Sequence, residues 1–192
     1  MTTYPMRTRR WTRKEYRKLG ELGILAEDEP VELIDGHLIV AEPKGAPHAT
    51  AVGLTADALR AAFGTGWVVR QQDPIALDED SEPEPDVVVT PGTRRDYVVD
   101  HPARPVLVVE VAESSLLFDR RHKGSAYARA GLPDYWIVNL IDRRLEVYRR
   151  PVTDAAAEFG WRYLDVEVLA PGGRVAPLAR RDTLIAVADL LP

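Results

Sequence analysis

"PVLVVEVAES", residues 105–114, decides how the chain is read: an almost unbroken run of β-branched and other apolar residues, with Glu110 set inside it. A strand covered on both faces reads this way, because every side chain meets packed neighbours whichever way it points. Glu110 shares its face with Val106 and Val108, while Leu107, Val109 and Val111 take the other. An ionised carboxylate buried there without a partner costs several kcal/mol, comparable with the stability of a small domain. A metal, a cationic side chain or a raised pKa must compensate.

Upstream, "EPEPDVVVT" (82–90) opens a second such strand, with Asp86 directly after Pro85 and before three valines. If the two strands are antiparallel neighbours, the start of one lies beside the end of the other and Asp86 meets Glu110. Two carboxylates in a dry place repel unless a cation sits between them or one is protonated. Two acids completed by a backbone carbonyl and waters suit Mg²⁺ or Mn²⁺ better than zinc. Each acid also has a plainer reading: Asp86 forms a turn after proline, and Glu110 pairs with an arginine.

Downstream, Lys123 lies three and four residues before Ala126 and Tyr127, on the helix face suited to packing on the sheet. An amine there positions a water or stabilises phosphate charge; alternatively its stem covers apolar surface. Asp119, one turn earlier, pairs with it or caps the helix. His48, after Pro47 at a helix start, and Glu32, in a hairpin, either face the cleft or serve only their own segments.

The surrounding pattern supplies the frame. Thr12 and Glu15 have capping-box spacing, so a helix begins near Arg13, with Trp11 and Tyr16 spaced as a hydrophobic staple. "VELIDGHLIV" reads as a hairpin turning at Asp35-Gly36, and "EPKGAPH" breaks the chain. A helix follows from His48 to near Gly64. "WVVRQQDPIAL", "PDVVVT" and "PVLVVEV" form a three-stranded meander, and a helix spans about Arg120 to Arg129 with Asp119 as N-cap and Gly131 as stop. "YWIVNL" and "RRLEVYRR" are strands joined at Ile141-Asp142, and two or three strand-like pieces follow Pro151. The fold class is α/β, a mixed central sheet with a helix on each side. The chain is expected to be one domain over 1–192: an N-terminal helix and hairpin (12–48), a core (48–150) and a C-terminal strand extension (151–192).

Composition narrows the function. The chain has 192 residues, 45% hydrophobic and 29% charged, as ordinary globular proteins do. Cysteine is absent, which excludes disulfides, thiolate metal sites and cysteine nucleophiles. No apolar run is long enough to span a bilayer and the N-terminus lacks a signal-peptide core, so no membrane association and a cytoplasmic location are expected. A net charge of -5 argues against nucleic-acid binding by bulk electrostatics. Charge is uneven, however: "RTRRWTRKEYRK" (7–18) is basic and "DPIALDEDSEPEPD" (73–86) has no base. Zincin, phosphate-loop, dinucleotide and serine-elbow signatures are missing, and "HKGSA" resembles a phosphate loop only superficially.

"VELIDGHLIV", His48 before a helix, "EPDVVV", "PVLVVEVAESS", "DRRHKGSAYARAGLPDYWIV" and "RRLEVYRR" together resemble the Uma-two family of restriction endonucleases, a branch of the PD-(D/E)XK nuclease superfamily. The resemblance covers roughly 12–190. It implies a restriction endonuclease-like core of helix, three-stranded meander, helix and strand, the order already read from the residues. It also implies that Asp86 is the Asp of the PD motif and Glu110 the acid of the D/E-X-K motif, with the carbonyl of Val111 as a third metal ligand. Ala112 stands where that motif has its lysine, and the helix residue Lys123 looks like the migrated substitute. Glu32, His48 and Asp119 are additional candidates. The implied activity is Mg²⁺- or Mn²⁺-dependent hydrolysis of DNA phosphodiesters by a homodimer. The rival is a catalytically inactive nuclease fold kept for DNA or protein binding, in which Lys123 neutralises Glu110 directly. A weaker third reading is an accessory acting on RNA.

Overall fold

The computed structural model describes residues 8–26, 29–41 and 44–192. Arg7 and part of the "EPKGAPH" break therefore lie outside the described residues. Helix α1 (Arg13–Glu21) begins as expected, with Thr12 Oγ1 accepting from Glu15 N–H and Glu15 returning its carboxylate to Thr12 N–H. Strands β1 (Val31–Ile34) and β2 (His37–Val40) form the hairpin. Asp35 and Gly36 turn it with φ of 47° and 73°, the left-handed pair that a tight hairpin turn requires. Helix α2 (Ala46–Phe63) starts two residues before His48, because Pro47 is pre-organised for the first turn. It stops at Gly64, whose φ is 67°.

Strands β3 (Trp67–Gln71), β4 (Val87–Pro91) and β5 (Leu107–Ala112) make the antiparallel meander. The following helix differs from expectation. It starts at α3 (Leu116–Phe118), widens through a π-helical turn at Asp119–Lys123 and continues as α4 (Gly124–Arg129). Asp119 is thus inside the helical segment and is not its N-cap; Ser115 precedes the first helical residue. Gly124 fits this wide turn because a Cβ there would stand 3.3 Å from the Asp119 carbonyl, a packing reason for the glycine of "HKGSA".

The segment crosses over to β6 (Asp134–Asn139), which runs parallel to β5. Strands β7 (Arg144–Thr153) and β8 (Trp161–Leu169) continue antiparallel and complete a six-stranded sheet, order β3-β4-β5-β6-β7-β8. β7 runs through the expected 150/151 boundary, and β8 belongs to the main sheet. A small pair, β9 (Arg174–Val175) and β10 (Ile185–Ala186), closes the chain.

Side chains alternate across the sheet as the strand period requires. Val87, Val89, Leu107, Val109 and Val111 pack with Leu59 and Phe63 of α2 on one face. Val88, Val108, Tyr135 and Ile137 pack with Ala126 and Tyr127 of α4 on the other. No helix among the described residues is long and apolar enough to cross a membrane.

The basic and acidic runs turn out to be each other's partners. Arg13 Nε lies 2.9 Å and Arg17 Nη2 2.7 Å from buried Glu82, and both arginines also reach Asp100. Arg10 binds Asp35 and Asp80. This face of α1 is therefore neither free surface nor an open phosphate track.

Candidate active site

The site lies where β4 begins and β5 ends. The pairing of Val87 with Val109 and Val88 with Val108 brings Asp86 opposite Glu110, on the face shared with Val88 and Val108. Both acids are buried, at 4% and 3% exposure. Val111 N–H donates to Asp86 Oδ2 at 2.8 Å, past the end of the β4 ladder. In a strand, a residue's N–H and C=O point to the same side, so the Val111 carbonyl also points toward Asp86. The carbonyl of Ala112 points the other way and accepts from Leu140 N–H at 3.0 Å.

Three further elements close on this pair. In the first turn of α2, His48 Nε2 lies 3.1 Å from Asp86 Oδ2. Just before that helix, Lys44 Nζ lies 3.0 Å from Asp86 Oδ1. From the π turn, Lys123 Nζ donates to Glu110 Oε1 at 3.0 Å and lies 3.2 Å from Glu32 Oε1 of β1. One turn on, Tyr127 O–H donates to the same Glu110 oxygen at 2.6 Å. Asp119 is buried and accepts from the Ser115 hydroxyl at 2.5 Å; it makes no ion pair with Lys123. All six expected side chains, Glu32, His48, Asp86, Glu110, Asp119 and Lys123, line one cavity of about 710 Å³. Glu84, Glu113 and Phe118 line it as well.

Electrostatics separate the two central acids. Burial would raise the Asp86 carboxyl, but the His48 hydrogen bond and the Lys44 charge hold it down at about 2. Glu110 has the opposite balance. Burial pushes its carboxyl up to about 8; Lys123 opposes this, and the charges of Asp119, Asp86 and Glu32 add to it. Burial would strip the proton from Lys123, yet Glu110, Glu32 and Asp119 outweigh it, so its pKa stands well above the ordinary value and the amine is cationic. Tyr127, buried beside Glu110, is likewise raised and keeps its donor proton.

These residues fit a hard divalent cation of the kind that takes few protein ligands. Among the described residues no three His, Asp or Glu side chains converge as a ready-made cage. Two carboxylates on facing residues, with the Val111 carbonyl on the Asp86 side of its strand, would suit Mg²⁺ or Mn²⁺ completed by water and substrate oxygens. Both donors to Glu110 use Oε1, which leaves Oε2 without a protein donor among the described residues. A carboxylate whose charge is penalised by burial and by neighbouring acids is stabilised by a metal beside it.

Sequence reasoning missed Lys44 and Tyr127. Tyr127 was within reach, since it sits one helical turn after Lys123 on the same buried face. Lys44 stands in an irregular segment, where spacing says nothing about direction.

A mixed sheet with one parallel crossover, acids at the ends of adjacent strands and a lysine on the crossover helix has the architecture of a restriction endonuclease-like nuclease. A solved structure of the same fold is that of a "putative nuclease belonging to DUF820" from Anabaena variabilis, which superposes with a TM-score of 0.64 over 90% of this chain and 96% of that one. The two are 16% identical, so the likeness is one of fold. The family model Uma2, described as "Putative restriction endonuclease", matches residues 13–180, and the chain belongs to that family. Proteins of curated function include no match to it.

Proposed function

We propose that this chain is a metal-dependent endonuclease that hydrolyses DNA phosphodiester bonds, acting as a homodimer so that two sites meet two strands. The observation that carries the reading is Asp86 opposite Glu110 at the strand ends, with Lys123 bonded to Glu110 from the crossover helix. Asp86, Glu110 and the Val111 carbonyl would hold Mg²⁺ or Mn²⁺. Such an ion, when bound, polarises the phosphate and acidifies a water.

The chain's own groups do the rest. The Val111 N–H and His48 fix the Asp86 carboxylate in one orientation, so no rotamer freedom is lost on binding the ion. Glu110 would be the second carboxylate ligand, held in place by the Tyr127 hydroxyl. Lys123, braced by Glu110 and Glu32, orients the attacking water or steadies the phosphate charge.

The test is nicking and linearisation of supercoiled plasmid with Mg²⁺ or Mn²⁺. Wild type is expected to cut and Asp86→Ala to lose at least about a hundredfold in rate, on the order of removing a principal electrostatic group. Equal cutting by both would refute the site. One observation favours a second reading: the direct 3.0 Å bond from Lys123 to Glu110 is also what a structurally neutralised, inactive site would show. DNA binding without cleavage under every metal condition would select that reading.

A further inference from the structure

Asp86 already holds three partners, and they are not equivalent. His48 reaches Oδ2 from a position buried in α2, and Val111 reaches the same oxygen through its backbone N–H. Among the described residues Lys44 alone serves Oδ1, at 3.0 Å. It stands one residue before Gly45, the N-cap of α2, and its side chain is 36% exposed. Of the three, Lys44 is the most exposed: the His48 side chain is 7% exposed and Val111 donates through its backbone.

Lys44 also has somewhere to go. The Glu113 carboxylate lies next to Gly45, with an oxygen 3.1 Å from where a Cβ on that glycine would stand. Glu84, lining the same cavity, lies near enough to feel the Lys44 charge. The cavity thus has spare acids at its Lys44 side. A divalent ion on Asp86, in contrast, would stand a few ångströms from the ammonium, where like charges repel strongly in a partly desolvated site.

We propose that Lys44 is a displaceable internal cation: it occupies Asp86 Oδ1 in the metal-free protein, competes with the divalent ion for that oxygen, and moves onto the neighbouring acids when the ion binds. This rests on reading Asp86 as a metal ligand. It makes Lys44 a positioning residue that sets the metal concentration the site needs, and it keeps Asp86 ionised and oriented in the meantime.

The experiment is a Mn²⁺ titration of the full chain without DNA, followed by calorimetry, on wild type, Lys44→Met, Lys44→Gln, Lys44→Arg and Asp86→Asn, each checked for a cooperative melt. Both neutral substitutions are expected to bind Mn²⁺ tighter, on the order of tenfold, since they remove one like charge at close range. Lys44→Arg, which keeps the charge, should stay within about threefold of wild type, and Asp86→Asn should lose the site. Unchanged or weaker Mn²⁺ affinity in both neutral variants, with wild type still binding, overturns the role of Lys44 alone. Absence of Mn²⁺ binding in wild type and variants alike overturns the metal reading and this proposal with it.

Discussion

Glu110 shows how one residue can be legible and still incomplete. Its candidacy for the site follows from a charge in an apolar strand, but its raised carboxyl follows from burial, which Lys123 opposes and the charges of Asp119, Asp86 and Glu32 reinforce. Because its carboxyl is raised from 4.5 to about 8, the folded protein retains a proton through that window that the unfolded chain has lost. The stability this contributes is present below pH 4.5 and is lost as pH rises through about 8. In chelator-treated protein, Glu110→Gln is therefore expected to raise the melting temperature relative to wild type more at pH 9 than at pH 5. The gain should be on the order of ten degrees, since a displacement from 4.5 to about 8 is worth about 4 kcal/mol, at about 2–4 °C per kcal/mol for a chain this size. Calorimetry at the two pH values checks this; an offset independent of pH would mean that Glu110 is ionised throughout.

At the scale of elements, the lysine of the site belongs to the helix and not to the strand. Ala112 is fully buried in β5 on the α4 side, in the core cluster that also holds Ala126 and Tyr127. The π turn presents Lys123 instead, and its Asp119 carbonyl accepts both Gly124 N–H and, at 3.1 Å, the Tyr135 hydroxyl. Lys123→Met is expected to lower plasmid cleavage by about a hundredfold. Wild-type cleavage by Lys123→Met would show that the helix lysine is not the substitute. The helix itself was readable from Gly131 and the apolar spacing, but its start was not. Asp119 resembles a cap in one dimension, and only packing against Tyr135 makes it an interior residue.

Over the whole molecule, the charge pattern has a structural destination. A basic α1 in an acidic chain suggests a phosphate-binding face, but Arg13 and Arg17 are committed to Glu82, which is 4% exposed. Replacing both with Ala strands a buried acid, and the expected cost is about 3 kcal/mol, a melting shift of about 6–12 °C. DNA affinity measured by fluorescence anisotropy at low salt should be unchanged once the variant is compared below its melt. A fall in DNA affinity with an unchanged melting temperature would reverse the assignment and make this face the nucleic-acid surface.

Back at the strand "PVLVVEV", the sequence by itself determined the meander, the hairpin turn and the stop at Gly131, and it made the meeting of Asp86 with Glu110 depend on those two strands running antiparallel, as they do. Each depends on periodicity, turn chemistry or register between strands close in the chain. Tertiary structure alone decided that His48 and Glu32 face the site, that Lys44 holds the second oxygen of Asp86, that Tyr127 anchors Glu110, and that the basic helix is spent on an acidic loop. Those contacts join residues tens of positions apart through the directions of single side chains. Such directions are set by how elements pack, which no local spacing encodes.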